Sequence, residues 1–162
     1  MAFVTEYLVQ QNAGTFTSIL TTELNSLANG SVTLASVNGN GGVFNNQYGT
    51  SGAGQIGGWP LTTIELRLAA IASNRTANGG VNVWLLRSLD GITYETGSNT
   101  IAPIRNVNVV LATDATSNAY TVSQDIALPP GQWKPIAQNE TGVAFAASGN
   151  EINIAPYSDQ AG

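Results

Sequence analysis

Between Thr62 and Ala72 the side chains alternate in character. Ile64, Leu66, Leu68 and Ala70 fall on one face of an extended chain, Glu65 and Arg67 on the other. A period of two marks a half-buried strand, because successive Cβ atoms in extended backbone point to opposite sides. Val81, Val83 and Leu85 repeat the pattern ahead of an Asp90-Gly91 turn. Further strands are expected at Val107 to Ala112, Tyr120 to Leu128, Trp133 to Asn139, Val143 to Ala147 and Glu151 to Ile154. Short strands at this spacing, separated by Gly, Pro, Asn and Asp, predict an all-β antiparallel sandwich rather than alternating helix and strand. Leu128-Pro129-Pro130-Gly131 punctuates them because proline cannot donate to a ladder. Asn78-Gly79-Gly80 tolerates positive φ, so the first two strands are expected to form a hairpin.

The first 58 residues differ. They hold no Arg or Lys and carry a Gly/Asn-rich tract from Asn38 to Gly58. The chain is therefore divided into an N-terminal arm or loop-rich region, residues 1–58, and a sandwich core, residues 59–162, within one domain overall. Phe16, Ile19, Leu20, Leu24 and Leu27 fit helical spacing with Asn29-Gly30 as a stop, which predicts one short N-terminal helix. A strand-like run from Ser31 to Val37 competes with it.

Composition narrows the chemistry. The 162 residues include no His, no Cys, one Lys (Lys134) and fifteen charged side chains in all. General acids, bases, nucleophiles and metal ligands are drawn mostly from the missing types, so a non-enzymatic binding or structural unit without cofactor or metal is expected. A net charge of −5 with five scattered cations opposes phosphate-backbone binding, so nucleic acid is not an expected partner. No apolar run approaches a membrane span, and Met1-Ala-Phe-Val-Thr-Glu lacks the basic and apolar regions of a signal peptide, so no membrane association or export by that route is expected. With charged residues at 9%, the polar surface is built from amides and hydroxyls whose contacts salt screens little.

Several motif matches carry no chemistry. Gly52-Ala-Gly54-Gln-Ile-Gly57 has the letters of a dinucleotide fingerprint, but Gly58-Trp59-Pro60 and a strand follow where a helix N-terminus is required. Three glycosylation patterns, at Asn29, Asn74 and Asn139, are about what chance yields in a chain so rich in Asn, Ser and Thr. Asp114-Ala-Thr-Ser-Asn118 lacks the ligand count of a calcium loop and reads as a turn closed by side-chain to backbone bonds. Asp90 and Glu95 can be nominated as a carboxylate pair, with nothing to place them at the separation glycoside hydrolysis requires.

A series of segments resembles a family of tailed-bacteriophage virion proteins: Val81-Asn-Val-Trp-Leu-Leu-Arg-Ser-Leu-Asp-Gly-Ile-Thr-Tyr-Glu95, Pro103-Ile-Arg105, Leu128-Pro-Pro-Gly-Gln-Trp-Lys134, Gln138-Asn-Glu-Thr-Gly142 and Ala147-Ser-Gly-Asn150. Glu23-Leu-Asn-Ser-Leu-Ala-Asn-Gly30 fits the same pattern, and the resemblance runs from about Thr21 to Tyr157. The matching elements are turn and strand signatures, so no functional residue is carried over. What the resemblance implies is a jelly-roll-like β-sandwich serving as a capsid decoration or cement subunit. Its implied partners are the major capsid protein and further copies of itself, with a trimer preferred, and its implied place is the capsid exterior after synthesis in the host cytoplasm. A tail, fibre or baseplate component and a glycan-binding β-sandwich module are the alternatives, the latter with exposed Trp or Tyr as its stacking platform. Trp84 and Trp133 lie within strand patterns and are assigned to the core. Aromatics near the loops, Phe3, Tyr7, Phe44, Tyr48 and Trp59, are the candidate interface anchors, because buried aromatic residues dominate interface energetics.

Overall fold

Extended backbone forms wherever alternation and β-branched residues coincide. A computed structural model describes residues 16–35, 37–38, 42–46, 61–98, 107–129 and 131–157. Among them ten strands run in chain order: β1 (Thr17–Leu20), β2 (Val32–Leu34), β3 (Val37–Asn38), β4 (Gly42–Asn46), β5 (Leu61–Leu68), β6 (Gly80–Ser88), β7 (Val107–Ala112), β8 (Tyr120–Ala127), β9 (Gly131–Glu140) and β10 (Glu151–Tyr157). They make two sheets, one ordered β1-β10-β5-β8 and the other β3-β4-β9-β6-β7, with β2 also on β9. Apart from the short parallel β3–β4 contact, all pairs are antiparallel. The fold is an all-β, jelly-roll-like sandwich in which successive strands β7 to β10 alternate between the sheets.

The alternation predicted for β5 and β6 holds, and so does its purpose. Ile64, Leu66 and Leu68 of β5 meet Val81, Val83 and Leu85 of β6 across the sandwich, joined by Ile152 and Ile154 of β10, Val109 and Leu111 of β7, and Phe44 and Trp133. Burying each Leu or Ile contributes about 1.5–3 kcal/mol, so this layer dominates stability. Pro135 interrupts β9 at the junction where its outer partner changes from β4, opposite Gly131 to Trp133, to β2, opposite Ile136 to Gln138. One side of the ladder is broken there, which is where a residue without an N–H is tolerated.

Three sequence expectations are corrected. β5 and β6 are not a hairpin: β5 pairs with β10 and β8, β6 with β7 and β9, and residues 69–79 cross from one sheet to the other. Asn78 does take a positive φ of 62°, as its turn chemistry allows, but the turn serves a crossover. The crossover is stitched at its middle. Buried Arg75 donates to Ala69 O, Thr116 O, Asn118 O and Asp114 Oδ1, while Ile71 N donates to Ser117 O. Second, the N-terminal helix is β1 followed by a single 3-10 turn, Thr22–Leu24. A register irregularity between Ser18 and Leu20 turns both Ile19 and Leu20 into the core, and that adjacent pair imitates helical spacing. Third, Val143 to Ala147 is irregular rather than a strand. Asn139, fully buried, holds the segment by donating Nδ2 to Val143 O and Leu27 O, and Phe145 N donates to Leu27 O. Those carbonyls and that amide are therefore satisfied outside any ladder.

The described residues between 17 and 46 supply β1 to one sheet and β2, β3 and β4 to the other, so those strands of the N-terminal region are built into the sandwich. Residues 1–15, 36, 39–41 and 47–58 of the region assigned to an arm lie outside the described residues.

Candidate functional site

At the end of β6 the inward residues stop and the chain turns through Ser88 to Glu95. The outward face of β6 carries Trp84 and Leu86, which cluster with Ile136 of β9 and with Val32 and Leu34 of β2. Cross-strand register sets this arrangement: Trp84 lies opposite Ile136, Leu86 opposite Lys134 and Ser88 opposite Gln132. Tyr94, on the return of the loop, packs against the cluster. Its hydroxyl donates to Gln132 Oε1 at 3.2 Å, and Lys134 Nζ stands 5.6 Å from the ring centroid. Glu95 then ties the loop back to β6, its N donating to Arg87 O and its Oε2 accepting from Arg87 N at 2.9 Å. The loop is anchored at both ends.

Asp90 organises the tip between these anchors. Its Oδ1 accepts from Thr93 N at 2.8 Å, Ile92 N at 2.9 Å and Ser88 Oγ at 2.8 Å, while Ser88 Oγ accepts from Gly91 N. Those donors, Thr93 N first, hold its carboxyl well below the usual carboxylate range. Gly91 has φ of 75°, which favours glycine in this turn, while a Cβ there would meet only the movable end of the Gln132 side chain. Burial, with the nearby Asp90 charge, raises the Tyr94 phenol above its ordinary value.

The outcome is a hydrogen-bonded tip that displays apolar side chains. Leu89 is 75% exposed and Ile92 84% exposed, two of the large hydrophobics most open to solvent among the described residues. One exposed aliphatic residue is ordinary; two on the same short, hydrogen-bonded turn form a preorganised apolar contact. Beside it lies an open cleft of about 490 Å3, bordered by Arg87, Asp90, Thr93 and Tyr94. A second open cleft, about 510 Å3, lies between residues 70–73 and 143–147 and is lined chiefly by Ala, Val, Ile and Phe.

The nominated carboxylate pair serves the backbone. Asp90 accepts three bonds within its own loop and Glu95 accepts from Arg87 N, and the shift at Asp90 runs opposite to the raised pKa a general acid needs. At the Asp114 turn, Oδ1 faces Arg75 and Oδ2 accepts from Thr116 Oγ1, so a guanidinium stands where a cation would sit. The Thr116 hydroxyl, followed by Arg75, draws the Asp114 carboxyl below its ordinary value. Among the described residues no group of three or more His, Cys, Asp and Glu side chains is placed to hold a metal ion, and no helix is long and apolar enough to cross a membrane.

Of the candidate interface anchors, Phe3, Tyr7, Tyr48 and Trp59 lie outside the described residues. Phe44 is 1% exposed and sits opposite Trp133 in the core, so it is unavailable to a partner. Trp84 and Trp133 are both buried, Trp133 in the main core and Trp84 in the separate cluster on the outward face of β6. The exposed pair on the 88–95 tip was not anticipated, although the signal stands in Leu89-Asp90-Gly91-Ile92: aliphatic residues flank a turn dipeptide where polar ones are the rule.

No family model matches the chain, and no curated protein matches it. Among solved structures, a carbohydrate-binding module of Cellvibrio mixtus lichenase 5A, in complex with cellotriose, is similar at 14% identity with a TM-score of 0.38. That match covers 85% of this chain and 97% of the module.

Proposed function

We propose that this chain is a non-catalytic structural subunit of a tailed-phage particle, bound to the outer surface of the capsid as a decoration or cement protein, and that the 88–95 tip docks it there. The observation that carries the reading is the pairing of exposed Leu89 and Ile92 on a loop whose geometry is fixed by Asp90. A tip ordered before contact loses little conformational entropy on docking, and its apolar side chains suit a socket on a protein surface. The resemblance in the Val81 to Glu95 segment spans this same loop, and a cement role asks for adhesion without an active site. Replacing Leu89→Ser together with Ile92→Ser is expected to weaken binding to purified particles at least about tenfold while leaving the thermal midpoint in place. Unchanged binding would remove the tip from the docking surface.

A second reading, glycan binding, is favoured by one observation: the cleft beside Tyr94 combines an aromatic ring with the carboxylate of Asp90, the hydroxyl of Thr93 and the guanidinium of Arg87. Titration with soluble oligosaccharides, followed by intrinsic fluorescence, tests it. A saturable change lost in Tyr94→Ala supports this reading, and a flat titration leaves the docking role alone.

A further inference from the structure

β8 is an outer strand of the four-stranded sheet, and among the described residues no strand pairs with the side of it that faces away from β5. It runs eight residues in unbroken register with β5, from Leu61 opposite Ala127 to Leu68 opposite Tyr120. Edge strands in monomers are ordinarily blunted by Lys, Pro, a bulge or shortness. Tyr120-Thr-Val-Ser-Gln-Asp-Ile-Ala127 has no Lys, Pro, bulge or shortness, and its one charge, Asp125, already accepts from Thr63 within the sheet. The other outer strands differ: β1 has four residues and a register irregularity, and β3 has two residues. β7 is six residues long, but its inward Val109 and Leu111 are already buried. On β8 the inward Val122 and Ile126 pack against the core yet remain only partly buried at the seam of the sandwich.

We propose that β8 pairs antiparallel with β8 of a second copy of this chain, about a two-fold axis through Ser123, joining two four-stranded sheets into one of eight. Antiparallel pairing of identical strands generates a closed, isologous contact. Registered on Ser123, it sets Tyr120 opposite Ile126 of the second copy and Val122 opposite Gln124, on the inward face. Thr121 comes opposite Asp125 on the outward face. No two carboxylates meet. The Thr–Asp pairing repeats one the sheet already uses, since Thr63 Oγ1 donates to Asp125 Oδ1 at 2.6 Å across the β5–β8 ladder. Aromatic with β-branched and hydroxyl with carboxylate are favourable cross-strand pairs. This joint is independent of the 88–95 tip and replaces the expected trimer with a dimer.

Sedimentation equilibrium of the full chain tests it, with a species of twice the 16.8 kDa chain mass expected. Ser123 is exposed on the outward face, so Ser123→Lys leaves the fold intact while setting two ammonium groups against each other at the axis. That variant is expected to raise the dimer dissociation constant at least about tenfold, and mixing it with Ser123→Glu is expected to restore association. A monomeric or trimeric wild type would overturn the proposal. So would a dimer that Ser123→Lys leaves unchanged, or Lys and Glu variants that fail to recombine.

Discussion

Two turns in this molecule are built on the same local chemistry and have opposite destinies. Each is centred on an aspartate that accepts hydrogen bonds from residues within three positions of it. In the 88–95 turn Asp90 takes Ile92 N, Thr93 N and the Ser88 hydroxyl. In the 114–118 turn Asp114 takes the Thr116 hydroxyl. Arg75 makes the difference. Its side chain, 1% exposed, reaches Asp114 at 2.9 Å together with three carbonyls, so this turn becomes a clamp that fastens the 69–79 crossover to the far end of β7. Asp90 has only the loop to organise, and its neighbours Leu89 and Ile92 stand out in solvent. A self-contained aspartate turn displays its flanking residues; one joined to a buried cation holds elements of the fold together.

The contrast is most directly broken by removing the cation. Arg75→Ala is expected to destabilise the fold by about 3 kcal/mol, because it leaves the carbonyls of residues 69, 116 and 118 without their donor. Urea unfolding measures this directly. A loss below about 1 kcal/mol would mean that the crossover is held by its backbone bonds alone.

Asp90→Ala should have a smaller effect on global stability and a large one locally. The amides of Ile92 and Thr93 lose their acceptor, so their hydrogen exchange is expected to accelerate while the β6 and β9 amides keep their protection. Equal acceleration across β6 would show that the tip is structurally integral and not self-contained.

Acid sharpens the comparison further. Both carboxyls are held below their ordinary values, so each contributes stability that is fully present above the usual aspartate pKa of about 3.9 and is lost as pH falls through the folded value. The thermal midpoint is expected to fall between about pH 4 and pH 2. Asp90→Ala and Arg75→Ala should each flatten part of that fall, measured by scanning calorimetry at stepped pH. A wild-type profile flat across this range would contradict the account of both turns.

Local pattern and long-range pairing were not equally readable. The strands around Ile64 to Leu68 and Val81 to Leu85 were legible because burial of one face imposes alternation on the sequence itself. Their placement in different sheets was not, since the choice of β10 and β8 over β6 as partners of β5 depends on residues far along the chain. Ile19 and Leu20 misled for a related reason: an irregular strand pairing puts neighbours on one face, and period alone reads that as helix. Phe44 was legible as aromatic but not as buried, because its burial comes from Trp133 across the β4–β9 ladder. The display of Leu89 and Ile92 left a trace in their place beside Asp90-Gly91, and only the structure adds the hydrogen bonds around Asp90 that order the turn between them.

The proposed role as a shell-bound structural subunit is tested most directly by quantitative mass spectrometry of purified particles from the source. The account predicts a copy number in simple proportion to the major shell subunit. A handful of copies per particle, or none, would contradict it.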